Sequence, residues 1–322
     1  MVTSPLVSIC VIGRNEGANL PQLFADLDSA RNHFSGSTEV IFVDSASTDK
    51  SIDCARGYAD VVIELQADPH LNASAARWAG TAYSRGEWIF YLDGDMRVDA
   101  HFLSKVPISE IVPESAAGFF GRGAEIRDGV VTRENLFGTW LKAGRAPNFG
   151  GAVLLKRAVV EAAGGWNPQV VANEELDLYV RIRKLGQYVY FVDEPMIIHP
   201  APQPPLRVRD IFWPVGSALK GKFGGFGQHL KSALSHGYLA AALRYSPLPF
   251  VMWLAVLASG GLVVKGLVAA GIALMSLAVL LVSFARKPTF VAIYLAMAVQ
   301  AAYGWCHAIG NWRPAVRAVW RR

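Results

Sequence analysis

The run Trp88-Ile89-Phe90-Tyr91-Leu92 leads without a break into Asp93-Gly94-Asp95. Five consecutive apolar residues read as a strand buried on both faces, inside a sheet rather than at its rim. Two carboxylates at the tip of such a strand repel one another unless protons, a cation or a metal-bound phosphate offsets their charge. A divalent ion carrying a diphosphate meets that need. The competing reading is a turn in which Asp-Gly supplies the bend and Asp95 caps the next element.

The residues upstream narrow the choice. Leu6 to Ile12 is an apolar run ending at Gly13, and Asn19 to Phe34 repeats Leu20, Leu23, Phe24, Leu27 and Ala30 at helical spacing. Glu39 to Val43 reads as a second strand, closing on Asp44-Ser45-Ala46-Ser47-Thr48-Asp49, a polar segment suited to cap a helix near Ser51 to Tyr58. Val61 to Leu65 is a third strand, Ala73 to Ser84 a helix and Trp88 to Leu92 a fourth strand. This alternation predicts a parallel sheet with helices on both faces, whose ligands gather at the carboxyl ends of the strands. Those ends carry Arg14-Asn15-Glu16, Asp44 to Asp49 and Asp93 to Asp95, which together predict one cleft. Further strands are expected at Phe119 to Ile126, Gly150 to Leu155 and Tyr188 to Val192, with a helix over Asn173 to Leu185.

Charge divides the chain. All 26 acids lie at or before Asp210 with 20 of the 31 Lys and Arg, and the other 11 bases follow with no acid among them. The sequence pI near 9.1 is therefore an average of two unlike parts, not the footprint of a nucleic-acid-binding surface. The basic part is also the apolar part. From Leu248 to Ala285 the only charged residue is Lys265, and from Pro288 to Trp312 there is none. A helix needs about 20 apolar residues to cross a bilayer, so Gly266 to Ala285 and Thr289 to Ile309 read as spans. Pro249 to Val264 is a third span, a re-entrant piece or an interfacial helix. Arg313, Arg317, Arg321 and Arg322 outweigh Arg286 and Lys287 in the positive-inside sense, which favours an even count. The first residues do not resemble a signal peptide, so the acidic part is expected on the cytoplasmic side of a multi-pass membrane protein. Cys10, Cys54 and Cys306 have no metal or redox spacing. Between Leu206 and Leu243, aromatic and basic residues mix as in a membrane-surface segment or a basic linker.

In order and spacing, these pieces resemble the family 2 glycosyltransferases of the GT-A fold, in their membrane-anchored bacterial form, over roughly residues 5 to 200. Val7 to Glu16 resembles the opening strand and Asn-Glu pair, with Ile12 where proline is usual and Arg14 where tyrosine often sits. Val43 to Asp49 is similar to the second motif, whose first acid reads the nucleobase. Ser74 to Gly80 resembles the helix before the metal site, with Trp78 replacing a common asparagine, and Asp93-Gly94-Asp95 matches the metal-binding acids. Asn148-Phe149-Gly150-Gly151-Ala152 and Gly164-Gly165-Trp166 are similar to the glycine segments lining the acceptor side. Asn173-Glu174-Glu175-Leu176-Asp177-Leu178 resembles Glu-Asp-x-Asp-Leu, whose second acid is the catalytic base.

The resemblance implies an α/β chain. Its layout would be a mostly parallel, Rossmann-like GT-A domain over 1–205, a basic aromatic segment over 206–246, two or three transmembrane helices over 247–312 and a basic tail over 313–322. It implies an inverting transfer from a nucleotide-diphosphate sugar, a UDP-sugar for preference, with Mg²⁺ or Mn²⁺ as cofactor. Glu175 is then the base, with Glu174 its rival and Asp177 beside them. Gly13, Arg14, Glu16, Asp44, Arg77, Asp93 and Asp95 hold the donor. Gly150, Gly151 and Trp166 face the acceptor. Asp95 is the first candidate for the metal, with Asp93, and His199 is either a third ligand or a structural histidine. The apolar tail points to a lipid or lipid-linked saccharide acceptor, with direct transfer to a polyprenyl phosphate as the alternative, and such segments often pack against copies of themselves. The Gln-x-x-Arg-Trp element of processive synthases is only faintly resembled by Gln203-Pro204-Pro205-Leu206-Arg207, so a single addition is expected. Two other readings compete. A haloacid-dehalogenase phosphatase also sets Asp-x-Asp after a strand, but on the first strand of its chain. A nucleotide-sugar-binding subunit without catalysis would not need the acids at 174, 175 and 177.

Overall fold

The structure is a computed structural model that describes residues 6–108, 113–127, 129–136, 141–200, 220–285, 294–295, 297–298, 300–301, 304–306, 310 and 312–322. The chain divides into two units. One comprises Met1–Pro168, Arg181–Gln203 and Trp312–Arg322, the other Gln169–Val180 and Pro204–Asn311.

The first unit is built on strands β1 (Val7–Gly13), β2 (Thr38–Asp44), β3 (Val61–Leu65) and β4 (Trp88–Asp93), joined through helices α1 (Leu20–His33), α2 (Ser51–Tyr58) and α3 (Ala73–Tyr83). Their pairings are parallel, in the order β3-β2-β1-β4. These strands are buried along nearly their whole length instead of alternating between buried and exposed positions, as strands covered on both faces are. Leu20, Leu23, Phe24, Leu27 and Ala30 form the buried stripe of α1, as their spacing predicts. The inner side of α3 is built from small residues, which lets it lie close on β1. A Cβ on Gly80 would fall 2.2 Å from Cys10 Sγ.

Beyond β4 the sheet stops being parallel. It continues through β9 (Val153–Lys156), β6 (Ala116–Arg127), β10 (Tyr188–Pro200) and β5 (Arg97–Val98), with β7 (Val130–Arg133) on β6 and β8 (Gly144–Arg145) on β10. Of these pairings only β10 with β6 is parallel. The expectation of a mostly parallel sheet is therefore corrected to a mixed one. Strand–helix alternation sets direction only up to β4; after it the returns are no longer regular helical crossovers. Short helices α4 (Phe102–Lys105) and α5 (Arg157–Ala162) lie along this half.

A second correction concerns the segment read as a basic tail. Val316–Arg321 forms β11, which pairs antiparallel with β3 and closes that edge of the sheet. Trp320 Nε1 donates to Glu64 Oε1 at 2.7 Å, the same oxygen takes Arg56 Nη2 at 2.7 Å, and the Arg56 guanidinium stacks 4.0 Å over the Trp320 ring. Glu64 is buried, so its charge is met by two donors.

The second unit begins at the first turns of α6 (Glu174–Lys184) and continues through α7 (Lys220–Ser235), α8 (Leu239–Tyr245), α9 (Pro247–Val264) and α10 (Val268–Ala285). The described residues between 294 and 306 are helical. Met252, Val282 and Ala298 form its apolar centre, flanked by Trp253, Val279 and Tyr294. The part of the expected membrane-surface segment that is described forms α7 and α8, with Phe226, His229 and Ala233 of α7 fully buried. Residues 201–219, 286–293 and most of the expected span from Thr289 to Ile309 lie outside the described residues. Among those described, only α9 is long and apolar enough to cross a membrane by length and composition; Val268–Ser283 is a shorter apolar helix.

Candidate active site

The parallel strands end together. In the sheet register Gly13 stands beside Asp44, and Ile12 beside Asp93, so the tips of β2, β1 and β4 share one edge. The loops beyond β1 and β2 are tied to each other. Asn15 N donates to Ser47 Oγ at 2.8 Å, Thr48 N to Asn15 Oδ1 at 2.8 Å, Glu16 N to Ser51 Oγ at 2.8 Å and Gly17 N to Asp49 Oδ2 at 2.9 Å. Asn15 and Ala46 hold φ of 60°, a left-handed conformation that is costly for alanine and concentrates at ligand sites. Gly94 is small for a reason: a Cβ there would meet Glu16 Cγ at 2.9 Å.

A cleft of about 260 Å³ opens at this edge. It is lined by Gly13, Arg14, Glu16, Asp93, Asp95 and His199, with Asn72 at the start of α3. Six of the residues expected at the donor and metal site are thus brought together, although β10 delivers His199 from more than 100 residues away. Asp44 and Arg77 lie beneath. Asp44 is 1% exposed, accepts from Ser47 N at 2.8 Å through Oδ2, and has no partner for Oδ1. Burial raises its pKa above the usual carboxylate value, against the lowering effect of Ser47. Arg77, also 1% exposed, donates from Nη2 to Asp93 Oδ1 at 2.8 Å and stacks its guanidinium 5.0 Å over the Trp166 ring.

Asp95 differs from Asp93. Its Oδ1 is buried without a hydrogen-bond partner and lies 3.7 Å from His199 Nε2. His199 Nδ1 is 2.7 Å from Pro200 O, a carbonyl that can only accept, so Nδ1 donates there and Nε2 is the ring nitrogen turned toward Asp95. A carboxylate oxygen and an imidazole nitrogen, both able to ligate a metal, thus meet at the edge of the cleft. Burial raises the Asp95 pKa, His199 lowers it and Asp93 raises it. Burial likewise raises the Glu16 pKa, opposed by Asn19 and reinforced by Asp95, Asp49 and Asp93. Among the described residues no group of three His, Cys, Asp or Glu stands ready to hold a metal unaided. One carboxylate and one imidazole fit a hard divalent ion whose other ligands come from substrate phosphates and water.

Residues 8–118 match the model of glycosyl transferase family 2. The match runs from β1 into β6 and so contains the strand tips, Arg77 and both acids of Asp93-Gly94-Asp95, but not His199 or the acids of α6. No curated protein matches the chain. Among solved structures, a mannosyltransferase from Pyrobaculum calidifontis, PcManGT, in complex with GDP-Man and Mn²⁺, is similar at a TM-score of 0.56 and 16% identity. It covers 94% of this chain and 88% of its own. TarS 1-349 of S. aureus is similar at 0.51 and 13% identity, covering 74% and 71%. At such identities the likeness is one of fold, and that fold is GT-A.

The remaining expected residues fall into two groups. Gly150 and Gly151 sit in the loop before β9, partly exposed. Trp166 is corrected: it is fully buried against Tyr91, Phe149 and Arg77, so its ring offers no face to an acceptor. Glu174, Glu175 and Asp177 belong to the second unit. Glu174 is 7% exposed and Asp177 fully buried, while Glu175 is half-buried. Sequence reasoning missed Asn72, whose Oδ1 accepts from Ala75 N as the α3 cap while its Nδ2 donates to Pro168 O at 2.8 Å. An asparagine immediately before a small-residue helix, at its N-cap, was the available signal.

Proposed function

We propose that the chain is an inverting glycosyltransferase that moves a sugar from a nucleotide-diphosphate donor, preferably a UDP-sugar, to a hydroxyl of a lipid or lipid-linked saccharide. The observation that carries this reading is the facing pair of Asp95 Oδ1 and His199 Nε2 at the strand edge, beside an Asp93 already neutralised by Arg77. Asp95 and His199 would hold Mg²⁺ or Mn²⁺ together with the donor phosphates, and the GDP-Man and Mn²⁺ bound by PcManGT support that choice. When bound, such an ion offsets the charge that builds on the departing diphosphate. Arg77 fixes Asp93 against the sugar or ribose. Asp44, with Oδ1 unmet, accepts from a nucleobase N–H. Glu175 takes the proton of the acceptor hydroxyl as its oxygen attacks the anomeric carbon opposite the leaving group, so one displacement inverts the configuration.

The acceptor reading rests on the second unit. It carries no acid beyond Asp210, and α9 and α10 expose Leu254, Leu257, Val264, Ile272, Leu277 and Leu280. A basic, apolar surface of this kind suits a bilayer with anionic headgroups. The chain leaves the first unit after Gln203 and rejoins it at Trp312, where β11 is hydrogen-bonded to β3. Any bilayer crossed between those points is crossed an even number of times, which favours two spans over three and sets the arginines of β11 on the side of the catalytic unit.

Detergent-purified protein incubated with nucleotide sugars, Mg²⁺ or Mn²⁺ and lipid extracts should release nucleoside diphosphate. Chelation should stop the release, and turnover undiminished by chelation would remove the metal from the scheme. For topology, single cysteines at Ser29 and Arg317 should label from the same side of sealed vesicles; labelling from opposite sides would overturn the even count.

A further inference from the structure

The second unit holds a buried polar network that the transfer chemistry leaves unused. Asp177, in the first turn of α6, is fully buried, and its Oδ1 accepts from the Tyr238 hydroxyl at 2.5 Å. The same oxygen is 3.0 Å from His229 Nδ1, and the hydroxyls of Tyr238 and Ser232 are 2.7 Å apart. None of the four side chains is more than 7% exposed. His229 and Ser232 are three residues apart on α7 and share a face; Tyr238 follows the turn that ends it.

Helix α7 grips the acidic segment at two further points. Gln228 Oε1 accepts from Val171 N at 2.8 Å. Gly225 lies so close to Ala172 that a Cβ would fall 1.9 Å from the Ala172 carbonyl oxygen. Between these holds stands Asn173, with φ of 63°, just before the helix begins. The start of α6 is therefore fixed in both position and rotation.

Rotation decides which glutamate is offered. At about 100° per residue, Asp177 lies about 200° from Glu175 around the helix and about 60° from Glu174. Turning Asp177 into the helical core takes Glu174 most of the way with it and leaves Glu175 on the opposite side. The burial agrees, with Glu174 buried and Glu175 half-buried.

We propose that Asp177 is a positioning residue, and that His229 and Tyr238 hold it so that α7 sets the rotation of α6 and presents Glu175 rather than Glu174. The consequence for catalysis rests on the transferase reading above, with Glu175 as base; the geometric claim does not. Cysteine reactivity tests the geometry without any substrate. In a background with Cys54 and Cys306 replaced by serine, Glu175→Cys should react with a small thiol reagent much faster than Glu174→Cys. That contrast should shrink in Tyr238→Phe and in His229→Gln, with a folded far-UV spectrum confirming that α6 persists. A contrast unchanged in both variants would overturn the proposal, as would equal labelling at the two positions in the parent.

Kinetics supplies the second arm. Tyr238→Phe and Asp177→Asn should lower kcat by up to about 100-fold, as small misplacements of a reacting group do, with the donor KM within about twofold. A loss carried by donor KM alone would count against positioning. If the labelling contrast collapses as expected while Glu175→Gln retains full transfer, the positioning stands and the base assignment falls.

Discussion

Asp95 and Asp177 both stand in acid-rich motifs, and the structure treats them in opposite ways. Asp177 has its carboxylate occupied by a tyrosine hydroxyl and a histidine. Asp95 has an Oδ1 with no hydrogen-bond partner, 3.7 Å from His199 Nε2. An ionised group sealed inside a protein needs partners, and Asp177 finds them within the chain; the Asp95 side chain is 30% exposed and lines the open cleft, where water and ligands can reach it. Motif membership does not separate them, but the inventory of hydrogen bonds does.

The largest effect should come from exchanging charge for an amide at both positions. Asp95→Asn removes the anionic ligand while keeping its shape, and turnover should fall by at least about 100-fold, the loss expected when charge stabilisation at a leaving group is removed. Its melting temperature should hold or rise, because burial already penalises the Asp95 carboxylate. Asp177→Asn should instead lower stability by about 1–3 kcal/mol, because a neutral amide oxygen is a weaker acceptor than the carboxylate oxygen that Tyr238 and His229 share. Thermal melts of the two variants, run beside nucleotide-release assays, check the crossing pattern. If Asp95→Asn melts early and keeps its turnover, the contrast is wrong.

Converting a filled acid into a bare one comes next. Arg77→Met should free Asp93 from its ion pair and withdraw a cation packed on Trp166. The Asp93 side chain is 32% exposed, so water meets part of the cost, and the loss should be about 1–3 kcal/mol rather than that of a sealed pair. If Asp93 then behaves as Asp95 does, Mn²⁺ should stabilise Arg77→Met more than the parent in melts with nucleoside diphosphate present. An equal gain in both would show that Arg77 does not govern Asp93.

These contrasts also mark how far the sequence was legible. The four parallel strands and the meeting of their tips followed from apolar runs ending in acids, because periodicity and strand-end chemistry are local. His199 reached the cleft by the course of a 13-residue strand with irregular register, which no spacing encodes. The strand at 316–321 carried an alternating signal in Val316, Ala318 and Trp320, masked by the weight of its arginines. For Trp166 the sequence supplied a ring and a motif but not its burial. The difference between Glu174, Glu175 and Asp177 is one of helix rotation, fixed by α7 from about 50 residues away.

Asp44 gives the smallest effect and the finest version of the contrast, since it is half filled: Oδ2 is bonded to Ser47 N and Oδ1 is unmet. Burial raises its pKa. A carboxyl whose folded pKa lies above its unfolded value binds its proton more tightly in the folded state, so folding is progressively disfavoured as pH rises from the unfolded value through the folded one. Above both values the cost of the buried charge is fully present; below both it is gone. Asp44→Asn carries no such charge and should therefore melt slightly above the parent at neutral pH, with the gap closing as pH falls through the raised Asp44 pKa. The same variant should bind a nucleoside diphosphate more weakly, by about tenfold for the loss of one hydrogen bond to a charged acceptor. Melting curves across pH and a nucleotide titration check the two signs separately. A gap that widens on acidification would mean that Asp44 is stabilised as a carboxylate, a filled acid of the Asp177 kind.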